Sequence, residues 1–273
     1  MVNQSNVLRT VLIAVAILML AFVALTIGLL GQSASESFES LYLYELRVST
    51  SGPLDDAVLL IPIPSCYDPD SGTNVTPINI SCVSFRNFDR ENISVTIEDV
   101  AGVPMLNISA DRIDPVYENR IEPIGIMPGE NESNLPEPTH IYSNQYSEET
   151  PMLVEMELSM LDTSPGHEIN TRMPVGAEPL FAPYRIVGNL NSSEDYVSPG
   201  TSGYIVEVPY ILSFDADDDN VLTISSRFQG VNQWWVLGWQ SNSYHERVHH
   251  EFRGACNGTY PVRGILITGE GVY

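Results

Sequence analysis

Polar and apolar positions alternate along most of this chain, but its first long stretch does not alternate at all. From Val11 to Leu30 the sequence VLIAVAILMLAFVALTIGLL carries no charge over twenty residues, enough for a helix to cross a hydrocarbon core of roughly 30 Å at 1.5 Å per residue. From Leu41 onward a period of two takes over. Tyr42, Tyr44, Leu46 and Val48 mark one face of LYLYELRVS; Val154, Met156, Leu158 and Met160 do the same in LVEMELSM; and Val206, Val208, Tyr210 and Leu212 follow. This spacing puts alternate side chains on one face of a strand. Further strands are predicted at 57–63, 79–85, 92–98, 103–110, 221–228, 232–239 and 260–268, bounded by Pro, Gly, Asn and Asp.

One segment departs from period two. Tyr244, Val248 and Phe252 stand at i, i+4 and i+8, Ser243 and Glu246 form a Ser-x-x-Glu capping box, and Gly254 follows as a stop, which predicts a short helix near 244–253. The expected fold is therefore mainly β: an N-terminal transmembrane helix, then an antiparallel β-sandwich-like ectodomain with that one short helix. Residues 1–31 form a cytoplasmic stub and anchor, and 32–40 a juxtamembrane linker. A β-rich lobe covers 41–120, a Pro-rich acidic loop or linker 121–151, and a second β-rich lobe 152–273, which alternatively joins 41–120 in a single sandwich.

Charge sets the direction of the anchor and removes several function classes. Arg9 precedes the apolar run while Glu36 and Glu39 follow it, which places the N-terminus in the cytoplasm and residues 40–273 outside it, at the cell membrane. A cleaved signal peptide is the alternative, since Gln32 to Ser35 are small or polar, although the apolar core exceeds the usual 7–15 residues. The formal net charge is −23, and all twelve basic residues are Arg. Without Lys there is no P-loop lysine, no Schiff-base lysine and no kinase lysine. The acid excess repels phosphate backbones, so nucleic acid is not an expected partner.

Seven of the sixteen Asn after Gly31 begin an Asn-x-Ser/Thr triplet: Asn74, Asn79, Asn92, Asn107, Asn131, Asn191 and Asn257. Chance predicts roughly 2.5, so N-glycosylation of an outward-facing domain is expected. Cys66 and Cys82 flank a turn-rich segment and are the expected disulfide, leaving Cys256 over. An anchored, lysine-free chain rich in these triplets resembles the general style of archaeal surface proteins.

Three local patterns carry candidate chemistry. His245-Glu246-Arg247-Val248-His249 resembles the zincin families in those five residues. On a helix His245 and His249 would share one face and hold Zn²⁺, with Glu246 as general base and Glu251 or Glu270 as third ligand; the capping box gives Glu246 a structural task instead. Asp215, Asp217 and Asp219 place carboxylates at alternate positions, as a calcium loop does, but Asn220 and Ser226 stand where its Gly and its bidentate Glu belong. A solvated acidic hairpin turn is the simpler expectation. Trp234, Trp235 and Trp239 are expected to pack in the core, with sugar stacking as the alternative.

The sequence as a whole predicts a single-pass, glycosylated extracytoplasmic protein with a structural or interaction role at the cell surface. Its expected partners are membrane lipid through residues 11–30 and a cell-envelope protein or glycan. A zinc hydrolase built on 245–249 is the enzymatic alternative, and a sugar- or cation-binding module the third. Zinc and calcium are the only cofactors that any pattern suggests.

Overall fold

The computed structural model describes residues 4–118, 142–143, 152–163, 165–190 and 200–273. Helix α1, Gln4–Ser37, comes first. Every described side chain from Leu12 to Leu29 is exposed, so the helix has no polar face and no core of its own to pack on. Its 26 residues from Leu12 to Ser37 are long and apolar enough to cross a membrane. A single residue, Phe38, separates α1 from β1.

Seventeen strands follow among the described residues: β1 Glu39–Thr50, β2 Leu54–Pro62, β3 Pro64–Asp68, β4 Thr73–Val75, β5 Ser84–Arg86, β6 Ser94–Val100, β7 Val103–Ile113, β8 Val116–Glu118, β9 Tyr142–Ser143, β10 Met152–Val154, β11 Met156–Asp162, β12 Leu180–Phe181, β13 Arg185–Asn189, β14 Ser202–Asp215, β15 Val221–Trp235, β16 Trp239–Arg253 and β17 Cys256–Gly271. The protein is mainly β. Eleven strands form one antiparallel sheet, ordered β5-β11-β1-β15-β16-β17-β14-β2-β7-β6 with β13 on β14, and it curls into a half-barrel. Strands from both sides of the 121–151 segment interleave in it: β1 pairs with β11 on one edge and with β15 on the other.

The alternation seen in the sequence is the curl's inside and outside. Tyr42, Tyr44, Leu46 and Val48 of β1 are buried, as are Leu222, Ile224 and Phe228 of β15, Tyr244, Val248 and Phe252 of β16, and Val206, Val208, Tyr210 and Leu212 of β14. Burying each such side chain contributes about 1.5–3 kcal/mol. The open side is closed by connections: Ile63, Ile78, Val83 and Ile93 from one, and Ile169, Leu180 and Phe181 from the segment between β11 and β13. Gly230 on β15 makes room for this packing, since a Cβ there would stand 2.4 Å from Tyr244 Cε1. The ring of Tyr244 lies across the glycine in its place.

Three expectations about elements are corrected, the first being the strand at 79–85, where a 3₁₀ turn, Ile80–Cys82, capped by Asn79 precedes the short β5. Residues 244–253 are not a helix but the second half of β16. A spacing of four is also a multiple of two, so the Tyr244, Val248 and Phe252 stripe fits one strand face as well as one helix face, and pairing with both β15 and β17 decides for the strand. The strand expected at 232–239 is interrupted by a hairpin turn at Val236, Leu237 and Gly238, with Trp235 opposite Trp239. The 121–151 linker lies largely outside the described residues.

Candidate functional site

Strand geometry separates the three residues of the zinc pattern. Successive side chains on β16 point to opposite faces, so His245 and His249 lie on the outer face while Glu246 points into the core. Two histidines four apart on a strand are about 13 Å apart, too far to share one ion. Strand geometry thus corrects the zinc reading, which needs a helix, and among the described residues no group of three or more His, Cys, Asp or Glu side chains is arranged to hold a metal. His245 Nδ1 instead pairs with Glu270 Oε2 at 2.8 Å, where the register of β16 on β17 shifts between Ser243 and His245. Burial lowers the His245 pKa, Glu270 opposes that, and Arg247 and Arg227 lower it further. Glu251, the other third-ligand candidate, contacts Arg253 at the surface.

Asp215, Asp217 and Asp219 are exposed on the turn from β14 to β15. That turn is built by its neighbour: Asn220 N–H donates to Asp217 O at 3.0 Å, its Nδ2 donates to Pro53 O at 2.9 Å, and Gly254 N–H donates to its carbonyl at 2.9 Å. Asn220 thus ties three segments together, and the aspartates stay in solvent.

Glu246 is fully buried. Its Oε2 accepts the Phe181 N–H at 2.7 Å, and Oε1 has no hydrogen-bond partner among the described residues. Burial pushes its pKa up to about 8, with the Phe181 N–H opposing the rise. At neutral pH the group is a neutral acid, the form that burial without a cation favours. It is no general base facing a cleft.

Glu246 is one of several polar groups on the concave face that hold the 165–181 segment in place. Tyr244 Oη donates to Pro179 O at 2.8 Å. Asn232 Oδ1 accepts Ser40 Oγ at 2.7 Å and the Ile169 N–H at 3.0 Å, while its Nδ2 donates to Ile169 O at 2.8 Å and Asn242 Oδ1 at 2.9 Å. Asn242 Oδ1 also accepts Thr171 Oγ1 at 2.8 Å. Within the segment, the buried Glu178 accepts Tyr42 Oη at 2.6 Å, contacts His167 Nε2 at 2.9 Å, and accepts the Asn170 N–H at 2.7 Å. The Glu178 carboxylate raises the pKa of His167. Asn232, Asn242 and Glu246 were legible as polar residues at inward positions of otherwise apolar strands, the one sequence signal of this seam.

The outer face holds a basic group that sequence reasoning did not single out. Arg227 on β15 stands directly opposite Arg247 on β16, and Ser225 opposite His249. With Glu45 and Arg47 of β1 these residues line a shallow cleft of about 290 Å³. Arg47 contacts Glu45 and Glu155, but among the described residues neither Arg227 nor Arg247 has a carboxylate at ion-pair distance. All of these positions belong to the outward set of their strands, so the cluster was implicit in the alternation and needed only the pairing of β1, β15 and β16.

The tryptophans correct the core expectation. Trp234 is partly buried against Phe38, with ring centroids 6.3 Å apart, whereas Trp235 and Trp239 are exposed at the hairpin tip. They meet edge to face at 5.7 Å. A separate cleft of about 1020 Å³ opens beside Trp234 between the helix end and the barrel, lined by Ala34, Phe38, Thr171, Arg172 and Tyr273 among others.

Cys66 and Cys82 are both free thiols, as is Cys256, which corrects the expected disulfide. Cys66 sits on β3 opposite Val75, and its pKa is raised by burial and by Glu178, whereas Cys82 is exposed at the end of a short 3₁₀ turn, Ile80–Cys82, with Ser81 Oγ beside it. Of the acceptor triplets, Asn79, Asn92 and Asn257 are exposed and Asn74 and Asn107 half-buried; Asn131 and Asn191 lie outside the described residues. In the turn that leads into β6, Ile93 is buried between exposed Asn92 and Ser94. Compared with protein-family models, curated proteins and solved structures, the chain matches none.

Proposed function

We propose that this chain is a single-pass, N-glycosylated membrane protein whose β-domain stands outside the cytoplasm and serves a structural or interaction role at the cell surface. The observation that carries this reading is the mount. An apolar helix exposed on all sides runs through one residue into β1, and its end is fastened to the barrel: Trp235 N–H donates to Ser37 Oγ at 2.8 Å and Phe38 stacks on Trp234. A helix hydrophobic all round belongs in lipid or in a protein core, and this one has no core against it. A domain joined to it without a flexible linker is carried at a fixed height.

The remaining features fit that role. Exposed acceptor Asn residues lie on the barrel surface, and the excess of triplets points to the compartment where glycans are added. The Arg227 and Arg247 pair suits an acidic protein or glycan of the envelope, because these guanidinium groups, unlike that of Arg47, have no carboxylate partner among the described residues and are free to bind carboxylate or sulfate oxygens. Fractionation of the native cells tests the reading. The chain is expected to stay with the membrane through alkaline carbonate, to lose its β-domain to protease added outside intact cells, and to shift in mass on deglycosylation. Release by carbonate, or protection from the outside protease, would overturn it.

A further inference from the structure

The β15–β16 hairpin tip lies beside the helix at the level where its apolar run ends. Leu237 at the turn is 82% exposed, Trp239 63% and Trp235 43%. Trp235 and Trp239 line one cleft with Leu29, Gln32, Ser33, Glu36 and Ser37 of α1, so the two indoles flank the helix from the last turn of the apolar run to the helix end. Ser37 stands seven positions beyond Leu30, about 10 Å along the helix. Headgroup layers occupy roughly the outer 5–7 Å of each leaflet beyond the hydrocarbon. Once α1 spans a bilayer, the tip therefore stands at the headgroup layer.

Charge along the barrel points the same way. From Gln229 through Tyr244 no residue is acidic or basic, in a chain of net charge −23. The opposite end of β15 follows the turn with Asp215, Asp217, Asp218 and Asp219. The acids nearest the tip are tied to neighbours: Glu36 Oε1 accepts Gln32 Nε2 at 2.8 Å, and Glu39 Oε2 accepts Gln233 Nε2 at 3.0 Å. The β15–β16 hairpin is thus preceded by acids at its far end and uncharged over its helix-end half, with tryptophan, leucine and valine at the tip. Trp is favoured at membrane–water interfaces because its ring is apolar and its N–H polar.

We propose that Trp235, Leu237 and Trp239 insert into the headgroup and upper acyl layer of the membrane that α1 crosses, giving the β-domain a second lipid contact. The proposal rests on the reading of α1 as a retained span. Two contacts, helix and hairpin, stop the domain from pivoting about Phe38 and hold the arginine face at a set angle to the bilayer.

The full chain, reconstituted into phosphatidylcholine vesicles in a Trp234→Phe background, tests this by tryptophan fluorescence. Emission is expected to be blue-shifted, to be lost largely to lipids brominated near the headgroup, less to lipids brominated deep in the chain, and little to aqueous iodide. Leu237→Asp, a change at an exposed turn that leaves the strands intact, should shift the emission back to the red and restore access to iodide. Full quenching by iodide with no effect of brominated lipid, in vesicles that retain the chain through alkaline carbonate, would overturn the proposal and leave the anchor standing. Loss of the chain to carbonate would overturn the anchor, and the proposal with it.

Discussion

The carboxyl of Glu246 accepts the backbone N–H of Phe181 at 2.7 Å inside a closed core, on the face of β16 opposite to His245 and His249. The residue that a zinc-peptidase pattern would make a catalytic base is instead a buried acid that fastens a covering segment to the sheet. Its value lies in that contact, and its ionisation is a liability.

The pH dependence follows from the raised pKa. The Glu246 carboxyl sits near 8 in the fold and near 4.5 in the unfolded chain, so between those values the native state holds a proton that the unfolded state releases. Stability on this account is greatest below about pH 4.5 and falls as pH rises to about 8, by a few kcal/mol. Glu246→Gln keeps the acceptor oxygen and cannot ionise, so its melting temperature should fall less than that of the wild type between pH 5 and 8. Parallel melting curves over that range would refute the assignment.

Asn232 is the hub of the polar seam. Asn232→Ala leaves Ser40 Oγ, both backbone groups of Ile169 and one bond of Asn242 unpaired in a buried place, a cost of roughly 3–5 kcal/mol. Urea unfolding should show that loss, and proteolysis should cut the 165–181 segment sooner than in the wild type. Cleavage at the wild-type rate would mean that the seam does not hold the segment.

Arg247 and Arg227 both depress the His245 pKa. Replacing Arg247 with Ser should raise it, with the difference shrinking in high salt as exposed charges are screened. Imidazole proton shifts followed through a pH titration measure this directly. The same substitution removes a like-charge pair directly opposite across two strands and should stabilise the fold by a few tenths of a kcal/mol at low salt.

Glycan occupancy should follow exposure. Asn79, Asn92 and Asn257 are expected to carry glycans in protein from the native source. Asn107 is expected to be bare, because its Nδ2 donates to Glu98 Oε1 at 2.6 Å and its Oδ1 is buried. Peptide mapping by mass spectrometry checks each site, and a glycan at Asn107 with none at Asn79 would contradict the expectation.

The sequence by itself determined the apolar helix and the mainly antiparallel β class, because both depend on local periodicity: an uncharged run of twenty residues, and alternate burial in β1, β11 and β14. It did not determine the state of 244–253, since a spacing of four satisfies both a helix face and a strand face, and only hydrogen bonding to β15 and β17 chose between them. Nor did it place the tryptophans, because whether an aromatic is packed or exposed depends on where a strand turns, and the turn at Leu237 lies beyond the edge of the barrel. The seam ties Asn232, Asn242 and Glu246 of one hairpin to Ser40, Ile169, Thr171 and Phe181, residues 63 to 192 positions away in the chain. Only tertiary packing brings such residues together, whereas Arg227 meets Arg247 through the register of the hairpin itself.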